Sequence, residues 1–303
     1  MKIMVTGATG FIGTHLCRFL LACNHDVIGL GRSPGKSRID HGRFRFVEAD
    51  PTRPGEWQKS LSGIDAVVNL AGRSIFGRWT GAIKSEIRES RILTTRNTVK
   101  GLPSGSRTTL ISASGVGFYG NRGDEVLTED SPAGRDFLAG LSVDWEREAL
   151  AASKKGARVV VMRLGVVLGK GGGAMAQMIP AFKRFVGGPI GDGRQWFPWI
   201  HLDDLSAAVQ FMLENPGIRG PVNLCSPNPV RNRDLAAAIG KALNRPALMP
   251  APAFMIRMVF GEFSEVLLGS QRAVPRKLLQ QGFSYTHPEI AGAVRAVVQP
   301  ETA

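Results

Sequence analysis

Short apolar runs alternate with longer amphipathic segments along the first half of the chain. The runs lie at residues 1–6, 26–30, 44–49, 65–70, 109–114 and 158–164, and a later one lies at 222–224. Residues 80–100 place Ile83, Ile87, Ile92 and Val99 among charged side chains, which is typical of an outer crossover helix. Strands that alternate with helices predict an α/β fold whose mainly parallel sheet has seven strands. Ligands of such sheets bind beyond the carboxyl ends of the strands.

The later part of the chain predicts a smaller lobe beside this sheet. The chain should leave the sheet at the glycine-rich stretch 169–173, and helical patterns follow at 175–186, 205–213, 234–243 and 252–268. We expect a dinucleotide-binding domain from residues 1–168 and about 199–226. A substrate lobe would then comprise about 169–198 and 227–303, with the reacting end of the cofactor in the cleft between them.

Three glycines separate the first predicted strand from the first predicted helix. Gly7 would permit a tight turn, Gly10 would let a phosphate approach the backbone, and Gly13 would let the helix pack closely on the strand. A pyrophosphate would then accept hydrogen bonds from free N–H groups at the positive end of the helix. The predicted cofactor contacts in this stretch are Gly7, Thr9, Gly10, Phe11, Ile12 and Gly13. A plain turn is the competing interpretation.

The second predicted strand ends at Arg32 and Ser33. A site for NAD is expected to place an acidic residue near this point, where it holds the ribose 2′-hydroxyl. A guanidinium and a hydroxyl instead suit a 2′-phosphate. These two residues therefore predict NADP(H) as the cofactor, unless Arg32 is only a solvated loop charge.

Composition limits the class of protein and its location. With 303 residues and 43% apolar content, the chain is long enough to bury a substantial core. No stretch approaches the roughly twenty uninterrupted apolar residues of a membrane span. The N-terminus also lacks the features of a signal peptide. We therefore expect a cytoplasmic protein with no membrane partner.

The net charge of +13 is spread along the chain rather than concentrated in a basic run. This distribution favours a basic soluble protein that prefers phosphorylated ligands, and we expect no nucleic-acid partner. Cys17, Cys23 and Cys225 form neither a CxxC motif nor a His/Cys cluster. The sequence therefore predicts no metal site and no disulfide framework.

The glycine spacing Gly-x-x-Gly-x-x-Gly resembles the short-chain dehydrogenase/reductase superfamily. Asn69-Leu70-Ala71-Gly72 resembles its Asn-x-Ala-Gly segment, and Asp50 follows the third predicted strand. The resemblance implies a Rossmann-like, doubly wound sheet, with Asn69, Leu70, Ala71 and Gly72 along the cofactor and Asp50 beside the adenine. Ser112-Ala113-Ser114 leading to Tyr119-Gly120 resembles the end of the catalytic strand, so Ser112 or Ser114 would bond the substrate's reacting oxygen.

One part of the superfamily's chemistry is missing. Its enzymes place a catalytic tyrosine roughly twenty-odd residues after the serine and a lysine four positions further, because a phenol needs a nearby cation to act as a base at neutral pH. Residues 120–153 contain neither tyrosine nor lysine. The expected positions fall near Phe137 or Leu138 and near Leu141 or Ser142. Tyr119 is a candidate proton donor, although its match in the superfamily is a shaping residue.

Further segments resemble a narrower group over nearly the whole chain. They are Arg78-Trp79-Thr80, Asp144-Trp145-Glu146, Val161 to Gly169, Trp199 to Leu205 and Leu268 to Pro275. Together these segments resemble the atypical extended short-chain dehydrogenases labelled putative nucleoside-diphosphate-sugar epimerase or epimerase family protein. That group ends in a small C-terminal region of unassigned function. The epimerase label rests on fold resemblance, which does not establish activity.

The sequence allows a functional or a structural interpretation for several side chains in the later part of the chain. Trp196, Phe197 and Trp199 either line a flat pocket or pack in a core. His201 is expected to be structural rather than catalytic, and Asp203 and Asp204 to cap the following helix. The late cations Arg272, Arg276 and Lys277 either approach a substrate phosphate or are solvated charges.

Two functions from different classes remain open. The first is an NADP(H)-dependent oxidoreductase or epimerase-like enzyme acting on a small molecule, such as a nucleotide sugar or a carbonyl compound. In that enzyme Tyr119, a bound water or the substrate itself would handle the proton. The second is a non-catalytic NADP(H)-binding sensor or interaction protein. Either is expected to be a monomer or a homodimer.

Overall fold

The computed structural model describes residues 1–33, 39–105 and 107–298. The strands are β1 Lys2–Thr6, β2 Asp26–Gly31, β3 Phe44–Glu48, β4 Ala66–Asn69, β5 Thr109–Gly115, β6 Val126–Leu127, β7 Arg158–Leu164, β8 Val166–Leu168, β9 Trp196–Phe197, β10 Trp199–His201, β11 Gly220–Leu224, β12 Val230–Arg231 and β13 Arg272–Ala273. The α-helices are α1 Phe11–Ala22, α2 Gly81–Gly101, α3 Phe137–Leu150, α4 Gly173–Lys183, α5 Leu202–Glu214, α6 Asn232–Leu243, α7 Ala253–Phe260, α8 Ser264–Leu268, α9 Arg276–Gln280 and α10 Ile290–Val298.

Seven strands form one sheet in the order β11-β7-β5-β4-β1-β2-β3, and every neighbouring pair is parallel. The order reverses at β1, so the crevice of a doubly wound fold opens where β1 and β4 end. The predicted Rossmann-like fold class is confirmed. The carboxyl ends of β1, β2, β4 and β5 bring the glycine turn, Arg32, the Asn69 segment and the serines to one edge of the sheet.

Both faces of the sheet are covered, which explains why its strands are continuously apolar. Successive side chains of a strand point to opposite faces. Ile3 and Val5 accordingly share a core with Leu16 and Leu20 of α1. Met4 lies in another core, with Trp57, Val99 and Ala149 among its members.

A further core lies outside the main sheet. It joins Met175 and Phe182 of α4 to Leu235 and Ile239 of α6, with Trp199 fully buried among its members. Helix α10 packs on α6 and contributes Val294 and Val297 to the same core. Trp199 is therefore a core residue.

The C-terminal helical pattern differs from the single helix expected over 252–268. The structure divides it into α7, a 3-10 helix at Gly261–Phe263 and α8. Gly261 has φ of +57°, a left-handed conformation that ends α7. Helix α4 likewise ends before the expected 186, and Phe185 follows it with φ of +63°. Three two-stranded sheets, β8/β10, β9/β12 and β6/β13, were not predicted.

No helix among the described residues has both the length and the apolar content needed to cross a bilayer.

Candidate functional site

The glycine turn after β1 is tight and closely packed. Gly7 has φ of +70°, and its N–H donates to the carbonyl of Leu30 at 2.9 Å, which ties the turn to β2. A Cβ at Gly13 would overlap the carbonyl oxygen of Gly7, so α1 packs directly on the turn. A Cβ at Gly7 would lie 3.0 Å from Cα of Ala71, so the turn also touches the segment after β4. This geometry is the one that the glycine spacing predicts.

The start of α1 faces the crevice, and no side chain among the described residues caps it. Gly10 is the N-cap residue and supplies no side-chain hydrogen bond. The side chains of Phe11 and Ile12 pack against the core, leaving the backbone as the polar surface of this end. Gly172 lies against the ring of Phe11, which explains why the chain is glycine-rich where it crosses α1. The free N–H groups and the helix dipole at such an end suit an anion.

The predicted 2′-phosphate contacts lie at the end of β2. Arg32 and Ser33 are exposed, and the side chain of Thr9 approaches Gly31, the residue before Arg32. Asp50 accepts hydrogen bonds from Thr52 N at 3.0 Å and Thr52 Oγ1 at 2.7 Å. Partial burial raises the pKa of Asp50, but these hydrogen bonds and the positive charge of Arg32 lower it by more. The pKa of Asp50 is therefore below its ordinary value. Asp50 and Arg32 therefore lie close enough to interact.

Asn69 organises the segment after β4 through its buried side chain. It accepts a hydrogen bond from Thr6 Oγ1 at 2.7 Å and donates to Thr95 Oγ1 at 2.8 Å and Ser112 Oγ at 3.1 Å. The hydroxyl of Thr6 also accepts from the N–H groups of Leu70 and Ala71, at 3.1 and 3.2 Å. Three hydrogen bonds therefore fix the side chain of Asn69 immediately before Leu70, Ala71 and Gly72.

The serines at the end of β5 are buried and hydrogen-bonded. Ser112 accepts from Asn69, and Ser114 Oγ donates to Glu146 Oε1 at 2.8 Å. The Tyr119 hydroxyl donates to Asn223 Oδ1 at 2.6 Å and accepts from Arg163 Nη1 at 3.0 Å. Burial raises the pKa of Tyr119 to about 12, although Arg163 opposes the shift. This environment disfavours proton transfer by Tyr119 at neutral pH.

A buried ion pair holds these groups together. Glu146 of α3 and Arg163 of β7 form two parallel bonds, with Arg163 Nε and Nη2 each 2.9 Å from a carboxylate oxygen. The Arg163 guanidinium also lies 3.5 Å from the ring centroid of Phe118. Ser114 and Tyr119 are therefore joined through Glu146 and Arg163 in one polar network.

Aromatic residues occupy the region in which the superfamily carries its tyrosine. Phe137, one of the expected tyrosine positions, has its ring 5.2 Å from that of Trp79 and 4.6 Å from Lys84 Nζ. Trp79 in turn contacts Phe263, with ring centroids 5.5 Å apart. Lys84 is bound to Glu262 at 2.6 Å. The C-terminal segment that contains Glu262 and Phe263 therefore packs against the chain after β4.

Sequence reasoning missed Arg91, a cation beside the Asn69 segment. A Cβ at Gly72 would lie 3.3 Å from both Cγ and Cζ of Arg91. Burial lowers the pKa of Arg91 to about 10, and no carboxylate among the described residues offsets the shift. Its guanidinium lies over the ring of Trp145, 5.2 Å from the ring centroid. Its spacing of four from the buried Ile87 places it on the inward face of α2, but no spacing rule predicts its contact with Gly72.

The late cations have partners within the protein: Arg276 pairs with Asp130, and Lys277 Nζ donates to the Arg219 carbonyl at 3.3 Å. The guanidinium groups of Arg231 and Arg272 lie over the ring of Trp196, 4.0 and 4.6 Å from its centroid. Asp124 accepts from both Arg231 Nη1 at 2.7 Å and Trp196 Nε1 at 2.9 Å. Trp196 is thereby fixed in place.

His201 lies at the start of α5, where its Nδ1 accepts a hydrogen bond from Asp203 N at 3.2 Å. His201 is therefore the residue that caps α5, whereas the sequence predicted Asp203 and Asp204 in this role. Asp204 instead accepts hydrogen bonds from the N–H groups of Thr286 and His287. Among the described residues, His201, Asp203 and His287 each offer one atom of a type that binds metal ions, and these three atoms lie within 4.8 Å of one another. Burial, with help from the charge of His287, lowers the pKa of His201 to about 4.

The sheet order and the open helix end at the switch point define the class of doubly wound dinucleotide-binding folds. Residues 3–225 match the model of the NAD dependent epimerase/dehydratase family, and residues 251–297 match a domain of unknown function, DUF1731. The chain belongs to the NAD dependent epimerase/dehydratase family. The predicted resemblance to the epimerase family proteins is confirmed.

Relatives and solved structures agree with this assignment. The chain is similar to epimerase family protein SDR39U1 homolog, chloroplastic, of Arabidopsis thaliana, at 42% identity over 99% of this chain and 87% of the relative. It is also similar to the crystal structure of human epimerase family protein SDR39U1 (isoform2) with NADPH. That match has a TM-score of 0.85 and 34% identity, and covers 98% of this chain and 99% of the human one.

A more distant likeness concerns the fold alone. The UDP-glucuronic acid 4-epimerase of Bacillus cereus, solved in complex with NAD, aligns with a TM-score of 0.77 at 21% identity. The alignment covers 98% of this chain and 97% of the epimerase.

Proposed function

We propose that this protein binds NADP(H) and acts as an oxidoreductase or epimerase-like enzyme on a small molecule. The observation that carries the proposal is the glycine turn, which contacts Ala71 and leads into an end of α1 that no described side chain caps. Gly7, Thr9, Gly10, Phe11, Ile12 and Gly13 would surround the pyrophosphate. Asp50 would lie beside the adenine, and Asn69, Leu70, Ala71 and Gly72 would lie along the cofactor.

The choice of NADP(H) over NAD(H) rests on Arg32 and Ser33. Both are exposed at the end of β2, where an acidic residue would hold the 2′-hydroxyl of NAD. A guanidinium binds a phosphate through charge-assisted hydrogen bonds. The human relative crystallised with NADPH supports the same choice.

The chemistry proposed for this site does not use the usual tyrosine and lysine. When bound, the cofactor would supply the hydride chemistry, and the protein would orient the reacting groups. Ser112 and Ser114 remain the candidates for contact with the substrate oxygen, although each already has a buried partner. The burial of Tyr119 favours a positioning role, which leaves a bound water or the substrate itself to carry the proton.

The substrate is proposed to bind between the domain of residues 1–168 and about 199–226 and the lobe of about 169–198 and 227–303. Nucleotide sugars and carbonyl compounds are the candidate classes. The cation Arg91 lies beside Gly72 and has no acidic partner in the described part of the chain, which supports an anionic or strongly polar ligand at this place.

Calorimetric titration of the cofactor-free protein with NADPH and NADH tests the proposal. The titration is followed by a screen of carbonyl compounds and nucleotide sugars for NADPH oxidation. We expect tight NADPH binding, weaker NADH binding and turnover of at least one compound. Absence of NADPH binding would refute the cofactor assignment and the enzyme together.

A non-catalytic NADP(H)-binding sensor is the second candidate, favoured by the absence of tyrosine and lysine from residues 120–153. A sensor would bind NADPH as tightly without oxidising it. Trp199 does not plug the cleft in either case, because it is fully buried in the core formed by α4 and α6.

A further inference from the structure

Helix α7 exposes large apolar side chains to solvent. Its sequence is Ala-Phe-Met-Ile-Arg-Met-Val-Phe, and none of its residues is buried. Phe260 packs inward, with its ring centroid 5.7 Å from that of Phe76. Phe254 and Met258, one turn apart, are instead 68% and 67% exposed. A surface helix normally turns polar residues to this side.

The exposed apolar area continues onto neighbouring segments. Ala251, just before α7, donates its N–H to the Pro189 carbonyl at 2.8 Å, which holds the segment 245–251 against the segment 185–191. The Arg245 guanidinium also lies 4.5 Å from the ring centroid of Phe185. We define the apolar surface as Phe185, Val186, Leu248, Met249, Phe254 and Met258, each of which is more than half exposed. Patches of this kind on soluble proteins mark contact sites.

The charged residues within the two segments that carry the apolar surface, 170–191 and 235–261, are all cations. Exposed Lys183, Arg184, Arg245 and Arg257 flank it, and Lys241 lies on the helix that leads to it. Neither residues 170–191 nor residues 235–261 contain an aspartate or a glutamate. The cations therefore have no acidic partner within these segments.

We propose that the apolar surface attaches the protein to an anionic lipid bilayer. Its apolar side chains would enter the boundary between head groups and acyl chains, while the flanking cations bind lipid phosphates. A second copy of the chain fits poorly, because a symmetric pair would bring two positively charged patches together. The expectation of no membrane partner considered only spanning segments, whereas the proposed contact places an apolar helix in the plane of the interface without crossing the bilayer.

Co-sedimentation of the 303-residue protein with vesicles tests the proposal. Vesicles of phosphatidylcholine containing phosphatidylglycerol are compared with vesicles of phosphatidylcholine alone. We expect binding to the anionic vesicles only, and its loss at about 1 M salt, where the Debye length is about 3 Å. Arg257→Gln should weaken binding about fivefold, the effect of one cation near an anionic surface.

The double variant Phe254→Gln/Met258→Gln keeps every charge and should weaken vesicle binding at least about tenfold. Leu279→Gln, on α9, removes a side chain that is 47% exposed and should bind like the wild type. Circular dichroism and thermal unfolding verify that each variant is folded. Failure of the wild type to bind anionic vesicles would overturn the proposal. Equal binding to neutral vesicles, or a dimer in light scattering that the double variant dissociates without any vesicle binding, would also overturn it.

Discussion

Tyr119 illustrates how a residue of catalytic type serves the packing of the fold. Its ring is fully buried, and its hydroxyl is saturated by Asn223 on β11 and Arg163 on β7. A phenol whose pKa is raised to about 12 does not ionise near neutrality. We therefore expect Tyr119 to position the end of β5 rather than transfer a proton.

Tyr119→Phe should lower the free energy of unfolding by about 1–3 kcal/mol, because two buried groups lose their partner. NADPH affinity and any turnover should be unchanged. The control Tyr285→Phe removes one bond, to the carbonyl of Cys225 at 2.9 Å, and should cost about 1 kcal/mol. Urea unfolding and NADPH oxidation measure the two effects. Loss of turnover without loss of stability would assign the proton transfer to Tyr119.

His201 should make the protein sensitive to mild acid. Its pKa is about 4 in the folded state against 6.5 for an ordinary histidine. The unfolded chain therefore takes up the proton first, and stability falls as the pH drops from about 6.5 to 4. This group contributes up to about 3 kcal/mol to that loss and nothing above neutrality.

His201→Asn keeps a side chain that caps helices and removes the titration. Its melting temperature should depend less on pH between about 6.5 and 4 than that of the wild type. The exposed His41 provides a control, since His41→Asn should follow the wild-type profile. Parallel profiles for His201→Asn and the wild type would contradict the assignment.

At the scale of elements, the turn between β1 and α1 requires Gly13 of the helix to lie directly against the backbone of Gly7. Gly13→Ala would force its Cβ into the Gly7 carbonyl, so we expect a loss of about 1–3 kcal/mol and NADPH binding at least about tenfold weaker. Gly140 on α3 offers a matched control with open space at its Cβ position. Gly140→Ala should raise stability by about 1 kcal/mol and leave affinity unchanged. Chemical unfolding and calorimetry distinguish the two, and a harmless Gly13→Ala would refute the close packing.

The sequence was sufficient for elements whose signal is local. The apolar runs and the glycine turn predicted β1, α1, β2, β4 and the parallel sheet. Continuously apolar strands and three closely spaced glycines can be recognised from residues that are near one another in the chain. The division of residues 253–268 into α7 and α8 was not predicted, since the left-handed Gly261 sits within an otherwise helical apolar pattern.

The polar interior of the candidate site was not predictable for a different reason. Its bonds join residues far apart in the chain: Tyr119 to Asn223, Ser114 to Glu146, and Asn69 to Ser112. No spacing rule connects such positions. Arg91 was missed likewise, because only the packing of α2 places it beside Gly72.

At the scale of the whole molecule, the buried pair of Glu146 and Arg163 links separate regions of the chain. Arg163 also donates to the Glu129 carbonyl at 3.1 Å, and Glu129 accepts from the N–H of Lys277 at 3.2 Å. The C-terminal region is therefore joined to the sheet through the same network. The two parts should unfold together.

Glu146→Gln should lower the free energy of unfolding by about 3–5 kcal/mol, because it leaves Arg163 charged and buried without its partner. Glu148→Gln, on the same helix, breaks the more exposed pair with Arg96 and should cost less than about 1 kcal/mol. Fluorescence and circular dichroism should report one shared transition in urea. Equal costs for the two variants would contradict the role given to the buried network.

The proposed function of the whole molecule depends on the assignment of NADP(H) as its cofactor. The most direct test is calorimetry, which compares NADPH and NADH binding by the wild type and by Arg32→Ala. Loss of a charge-assisted contact to the 2′-phosphate should weaken NADPH binding about ten- to a hundredfold and leave NADH binding nearly unchanged. Arg45→Ala removes an exposed arginine of β3 and should alter neither affinity. Equal losses for both cofactors, or a wild type that prefers NADH, would contradict the account.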